Sequence, residues 1–63
     1  MTAGDWVLFD DTGFPFAFGN ADYVTRDEML EDRRTRARVA RIELVTDETE
    51  RRRLLDIHAN GHP

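Results

Sequence analysis

The arginines and carboxylates are the side chains of this sequence most able to take part in recognition. All nine basic residues are arginine, and they stand against thirteen acidic residues. A run of arginines is typical of a surface that binds nucleic-acid phosphates. The net charge of −4, however, opposes binding to a polyanion. A nucleic-acid-binding regulator is therefore the alternative function, and its candidate residues are Arg33, Arg34, Arg36, Arg38 and Arg41.

Acidic residues precede these arginines at helical spacing, which favours a structural interpretation of the charges. Carboxylates early in a helix and arginines late in it complement the helix dipole. Pairs three or four residues apart, with the acid first, also stabilise a helix. The sequence therefore predicts solvated helix faces on which the charges pair with one another: Glu31 with Arg34, Asp32 with Arg36, Asp47 with Arg51, Glu48 with Arg52, and Glu50 with Arg53.

Other chemistry has little support in the sequence. Adjacent Asp10 and Asp11 are followed by Thr12-Gly13, which is typical of a turn. His58 and His62 have metal-ligand spacing, but the intervening Gly61 should end a helix, so we expect frayed histidines. Serine and cysteine are both absent, which excludes Ser–His and Cys–His nucleophiles. We expect no enzyme activity, no catalytic, cofactor-binding or metal-binding residue, and no small-molecule ligand.

The elements that would position these residues begin with a β-hairpin over 5–18. Asp10 and Gly13 predict a type I turn that places Asp10 opposite Phe14. Continued without interruption, that register pairs Leu8 with Phe16 and Trp6 with Phe18. The expected core face is therefore Trp6, Leu8, Phe14, Phe16 and Phe18. Pro15 cannot donate a ladder hydrogen bond, so the second strand is expected at an edge of the sheet.

Two helices and one more strand should follow the hairpin. Thr25 and Glu28 have the spacing of a capping box, which predicts a helix over 25–37. Residues 38–45 alternate between apolar and polar side chains, as in a half-buried strand. A second helix over 46–60 should begin at Thr46 or Asp47 and end before Gly61. Both termini are expected to fray.

The predicted fold is therefore α+β, with element order ββαβα. A right-handed crossover makes strand order 2-1-3 the simplest sheet, antiparallel throughout, although order 1-2-3 stays open. Both helices are expected on the Trp6 face. The other face would then be exposed and semi-apolar, as at many protein interfaces. Its residues are the predicted partner-binding set: Val7, Phe9, Ala17, Val39, Arg41, Glu43 and Val45.

Length and composition set the outer limits of this interpretation. Sixty-three residues allow one small domain, 1–63, with a thin margin of stability. No apolar run is long enough to span a bilayer and no signal peptide is evident, so we expect a cytoplasmic protein with no membrane contact. Lysine is absent, which favours a GC-rich bacterium or its phage as the source.

The function predicted from the sequence is a small non-catalytic protein-interaction module. It would dock through an exposed sheet face or an edge strand onto another protein, or onto a second copy in a homodimer. Nucleic acid is not the expected partner, because the arginines are expected to be paired within the chain.

Overall fold

The computed structural model describes residues 3–61, which form a three-stranded antiparallel sheet and three helices. In chain order these are β1 (Asp5–Phe9), β2 (Pro15–Asn20), α1 (Arg26–Met29), α2 (Arg33–Arg38), β3 (Arg41–Val45) and α3 (Glu48–Asn60). The strand order is β2-β1-β3, and β1 is antiparallel to both of its neighbours. The predicted α+β class and the 2-1-3 order are confirmed, which settles the strand order that the sequence left open.

The turn between β1 and β2 has the predicted chemistry. The Asp10 N–H donates to the Phe14 carbonyl at 3.0 Å, and the Gly13 N–H donates to the Asp10 carbonyl at 3.0 Å. The carboxylate Oδ1 of Asp10 also accepts from the N–H groups of Thr12 and Phe14. Gly13 has φ of +86°, a left-handed conformation that glycine adopts at little cost. Asp10 thus satisfies the polar groups of the loop.

The predicted register holds for one pair beyond the turn and then fails. Phe9 pairs with Pro15, but Leu8 pairs with Ala17, so Phe16 is an extra residue in β2. This is a β-bulge, and bulges are among the few places in a sheet that tolerate proline. Pro15 has no N–H to donate, so the regular ladder is interrupted beside it.

The bulge reverses the faces predicted for β2. Trp6 pairs with Gly19 and Val7 pairs with Phe18, whereas the sequence predicted a Trp6–Phe18 pair. Because paired residues share a face, the one-residue shift moves Phe18 to the side of Val7. The predicted core face of Trp6, Leu8, Phe14, Phe16 and Phe18 is therefore wrong as a set, although Leu8 is fully buried.

The main hydrophobic core lies between the sheet and α3. Val7 and Phe9 of β1, Val45 of β3 and Leu54 of α3 are buried together, and Phe18 packs against them. The helix begins at Asp47, whose side chain accepts from the Glu50 N–H, and it ends at Gly61 with φ of +71°. Both ends are as predicted.

The predicted first helix is interrupted. Thr25 and Glu28 form the expected capping box, with their two hydrogen bonds at 3.1 and 2.9 Å. However, α1 ends after four residues, and Asp32 begins α2 by accepting from the Arg34 N–H. The Arg36 guanidinium donates to the carbonyls of Leu30 and Glu31 at 2.7 and 2.8 Å. These hydrogen bonds satisfy carbonyls that a continuous helix would have paired internally.

The helices lie on opposite faces of the sheet, so the prediction that both cover the Trp6 face is wrong. The Trp6 indole N–H donates to the Val24 carbonyl at 3.0 Å. A Cβ added to Gly19, the partner of Trp6, would collide with the Met29 thioether. The segment containing α1 therefore lies against the Trp6 side. The core around Leu54 places α3 on the other side.

β3 is shorter than the predicted strand over 38–45. It begins at Arg41, because α2 continues to Arg38 and Val39 is its C-cap. The Ala40 N–H donates to the Phe9 carbonyl at 2.8 Å, which attaches the start of β3 to β1. Within β3 the alternation follows the prediction, since Ile42 and Leu44 share the face of Leu8 and Trp6.

Candidate protein-interaction surface

Three apolar side chains of the predicted partner-binding face are not accessible. Val7, Phe9 and Val45 are 0%, 4% and 6% exposed and form part of the core under α3. The prediction of an exposed face at these residues is wrong, because the bulge at Phe16 brings Phe18 to this side and α3 covers it. We call this side of the sheet the covered face.

The other members of the predicted set lie in different places. Ala17 is half-buried and pairs with Leu8, so it lies on the opposite face. Val39 is half-buried at the end of α2. Arg41 and Glu43 are exposed on the covered face at its β3 rim, and their side chains form an ion pair at 2.9 Å.

Arg41 also shields the edge of the core. Its guanidinium carbon lies 4.2 Å from the centroid of the Phe9 ring, a cation–π contact. The guanidinium thereby covers part of the Phe9 ring, while the side chain as a whole stays 57% exposed. Arg41 and Glu43 are thus the two charged members of the predicted partner-binding set, and both stay exposed at the surface although they pair with each other.

The sheet surface around Trp6, Ile42 and Leu44 is only partly covered, and we call it the open face. Leu44 is 46% exposed, and Trp6 and Ile42 are half-buried. Neither α1 nor α2 has a buried residue, so these short helices leave part of the surface uncovered. Sequence reasoning missed this face because it counted the aromatic residues of β2 on the wrong side. The alternation of Ile42 and Leu44 with charged residues was the signal that could have identified it.

Tyr23 is a second large exposed apolar residue and lies in the loop between β2 and α1. Its side chain is 83% exposed, the highest value among the large hydrophobic residues of the described chain. The carbonyl of the neighbouring residue Val24 accepts the indole hydrogen bond of Trp6, so the backbone next to Tyr23 is held near the start of β1. Large exposed aromatic residues are typical of protein interfaces.

The two edges of the sheet differ in how well they are protected. The β2 edge contains Pro15 and the bulge, both of which oppose addition of another strand. His58 of α3 also bonds through Nδ1 to the Pro15 carbonyl at 2.9 Å, and its ring packs edge-on against Phe18. The prediction that His58 is frayed is therefore wrong. His62, the other histidine of the predicted spacing, lies outside the described residues.

β3 has neither proline nor a bulge within its five residues. Among residues 3–61, no strand pairs with the side of β3 that faces away from β1. The Ala21 N–H donates to the Gly4 carbonyl at 2.9 Å, which makes this a hydrogen-bonded pair of the β1–β2 ladder. Such pairs recur at every second residue, so Trp6 bonds toward β2 and its neighbours bond toward β3. The peptide groups of Ile42 and Leu44 consequently point away from β1, toward the open edge.

Most of the arginines proposed for nucleic-acid binding are held within the chain. Arg36 bonds to the carbonyls at the end of α1. Arg38 lies over the Phe16 ring at 4.4 Å and 3.7 Å from the Asp10 carboxylate, and Arg41 is held by Phe9 and Glu43. Arg33 and Arg34 are exposed and form no ion pair with any residue of 3–61.

The predicted ion pairs of the helices are partly confirmed. Glu48 with Arg52 and Glu50 with Arg53 are present in α3. Arg51 instead pairs with Asp5 at 2.6 Å and with Glu48, because Asp47 is occupied as the helix cap. Neither predicted pair of the first helix is found among the described residues, since Asp32 caps α2 and Arg36 bonds to backbone carbonyls.

The described part of the chain offers no enclosed pocket, and no three His, Asp or Glu side chains there are grouped so that they could hold a metal ion. No helix in residues 3–61 has the length and apolarity that crossing a membrane requires. Comparisons with known protein families, with curated proteins and with solved structures find no match.

Proposed function

We propose that this chain is a small non-catalytic protein-interaction module that docks through the β3 edge and the adjoining open face. The observation that carries the proposal is the position of Leu44. This large apolar side chain is 46% exposed on an edge strand that has no second neighbour among the described strands. Exposed apolar surface beside unpaired backbone groups is the combination that strand addition uses.

The chemistry of the edge suits an extended partner strand. Outward peptide groups at Ile42 and Leu44 would supply main-chain hydrogen bonds, which give affinity without dependence on partner sequence. The side chains of the same two residues would contribute apolar contact on the open face. Arg41 and Glu43 would form a charged rim on the other side, as is common around a buried interface centre.

The alternative function, nucleic-acid binding, has less support. Three of its five candidate arginines already bond within the chain, so a phosphate would have to compete with those contacts. Arg33 and Arg34 remain exposed, but two adjacent arginines on a net acidic domain give a weak electrostatic footprint.

Capture of partners from a lysate of the source organism tests the proposal. The bait chains are wild type, Leu44→Lys and the control Ala59→Lys, which places the same charge at an exposed position of α3. A lysine on an edge strand opposes strand addition. We expect Leu44→Lys to lose the captured protein while Ala59→Lys retains it, with unchanged circular dichroism for both variants.

Salt dependence and an oligonucleotide titration separate the two functions. Docking through main-chain bonds and apolar contact should persist at high salt, whereas phosphate contacts weaken steeply as salt rises. Capture that is lost equally in both variants, or tight salt-sensitive binding of an oligonucleotide that Arg33→Ala with Arg34→Ala removes, would contradict the proposal. Cytoplasmic location and a source in a GC-rich bacterium or its phage belong to the same proposal and rest on composition alone.

A further inference from the structure

The charges on β3 are arranged so that the strand is complementary to itself. Arg41 and Glu43 are two residues apart, point to the same side of the sheet, and flank Ile42. Suppose a second copy of β3 adds antiparallel along the open edge, with a two-fold axis at Ile42. Each Arg41 then lies directly opposite the Glu43 of the other copy, and this occurs twice by symmetry.

The neighbouring symmetric registers are rejected by the same charges. An axis at Glu43 would place two carboxylates directly opposite each other, and an axis at Arg41 would do the same with two guanidinium groups. Like charges directly opposite across strands are destabilising. The two side chains are 57% and 47% exposed, so both are available to a partner strand. The charges thus oppose both neighbouring registers and favour the one centred on Ile42, which gives two reciprocal ion pairs.

The apolar side of the strand agrees with this register. Ile42 would lie against its own copy, and Leu44 would lie opposite Ala40, an exposed small residue before β3. The pairing would cover the exposed part of Leu44 and extend the sheet from three strands to six. A domain of this size leaves much of its surface exposed, so this added burial would stabilise it.

We propose that the partner of the β3 edge is a second copy of this chain, paired antiparallel about Ile42 through reciprocal Arg41–Glu43 contacts. This inference rests on the proposed function, since it names the occupant of the same edge. It adds a register, and the register has a consequence that no other occupant shares. Two chains with opposite charge changes at β3 should pair with each other.

Light scattering and sedimentation over a concentration series give the dissociation constant of the wild-type homodimer. The single variants are then measured in the same way. Arg41→Glu gives two carboxylates at the edge, and Glu43→Arg gives two guanidinium groups. Either variant alone should dimerise about tenfold or more weakly than wild type, because both reciprocal ion pairs become repulsive. The control Arg52→Glu, at a 79% exposed side chain of α3, should leave the dissociation constant unchanged.

A mixture of Arg41→Glu chains with Glu43→Arg chains is the decisive sample. Each variant lacks the ion pair within its own strand, so only contacts between chains can restore affinity. The mixture should form a heterodimer about as tightly as wild type forms a homodimer. A mixture as weakly associated as its components would overturn the register, and a wild-type chain that stays monomeric at the highest concentration would overturn self-pairing.

The position of the two-fold axis can be tested with a single introduced cysteine, because the chain has no other thiol and a disulfide can form only between the two copies. Cα atoms of a hydrogen-bonded antiparallel pair are about 5.5 Å apart, which suits a disulfide. Ile42→Cys should therefore oxidise to a covalent dimer faster than Glu43→Cys. If Glu43→Cys forms the dimer faster, the proposed register is wrong. Capture of a different protein that depends on Leu44, by a chain that is monomeric alone, would overturn this inference while supporting the proposed function.

Discussion

The covered face and the open face of the sheet are built in different ways. On the covered face, Val7, Phe9 and Val45 pack against Leu54 of α3, and these side chains are at most 6% exposed. On the open face, Trp6 is held by a hydrogen bond, and the adjoining helices bury none of their residues. The covered side has a cluster of buried apolar side chains under a long helix, whereas on the other side Leu8 is buried within the sheet and the short helices are held mainly by caps and polar contacts. The side that contributes less to the core therefore keeps exposed apolar surface that a partner could contact.

Removing an aromatic ring from the covered face should have the largest effect on stability. Phe9→Ala removes a 4% exposed side chain and leaves a cavity under α3. We expect a loss of about 3–5 kcal/mol in the free energy of unfolding, which is a large part of the stability of a small domain.

Urea denaturation followed by circular dichroism provides the measurement. Leu44→Ala is the matched control on the open face, and it should cost less than about 1 kcal/mol because the residue is half exposed. Equal losses from both substitutions would contradict the difference between the faces.

Trp6→Ala should have an intermediate effect, since the indole is half-buried but also donates to the Val24 carbonyl. We expect a loss of about 2–3 kcal/mol, part from burial and part from the hydrogen bond. Trp6→Phe keeps most of the ring and removes the donor, so it should cost about 1 kcal/mol. Thermal unfolding of both variants measures the two contributions. A phenylalanine variant as unstable as the alanine variant would mean that the hydrogen bond dominates.

Adding a methyl group at Gly19 should disturb the contact between β2 and α1. The new Cβ would collide with the Met29 thioether, but that group is the flexible end of its side chain and can move aside, so Gly19→Ala should cost no more than about 1 kcal/mol. Gly19→Ala combined with Met29→Ala should be less unstable than the sum of the two single variants, because the second change makes room for the first. A double-mutant cycle in urea gives this coupling. Strict additivity would show that α1 does not pack at Gly19.

The smallest expected effect is the pH dependence of the hairpin turn, which belongs to neither face. The side-chain hydrogen bond from Thr12 lowers the pKa of Asp10 below its ordinary value of 3.8, and the bond from the Phe14 N–H adds to this. A carboxyl with a lowered pKa in the folded state stabilises the fold above its unfolded pKa. That contribution is lost as the pH falls through the folded pKa.

Stability should therefore decline below about pH 4 more in wild type than in Asp10→Asn, which keeps an acceptor oxygen but does not titrate. Urea midpoints measured from neutral to acidic pH compare the two chains. Parallel declines would show that Asp10 does not contribute to the acid sensitivity.

Local signals in the sequence were sufficient to predict where several helices and the hairpin turn begin or end. The capping box at Thr25, the Asp10 turn and the Gly61 stop each depend on residues within four positions of one another, and all three are present in the structure. The strand order followed from connectivity together with the position of Pro15. These features are set by short-range sterics and hydrogen bonding, which the residue types report directly.

The faces could not be predicted in the same way. One inserted residue at Phe16 moves every later side chain of β2 to the other side, and nothing in the alternation of residues 14–18 marks the insertion. The break between α1 and α2 likewise depends on Arg36 reaching back to Leu30, a contact between residues six apart. The predicted partner-binding face was wrong because it was derived from an uninterrupted register between β1 and β2.

The central position of β1 also has a consequence for the rate at which the chain folds and unfolds. β1 and β2 are joined by a short turn, so their pairing closes a small loop and can form early. β2, α1 and α2 lie between β1 and β3 along the chain. The pairing of β3 with β1 therefore closes a much longer loop, which costs more conformational entropy. Contacts of β3 should therefore form after the folding transition state. A partner bound at this edge would act mainly by slowing unfolding, and would lengthen the lifetime of the native state without hastening its formation.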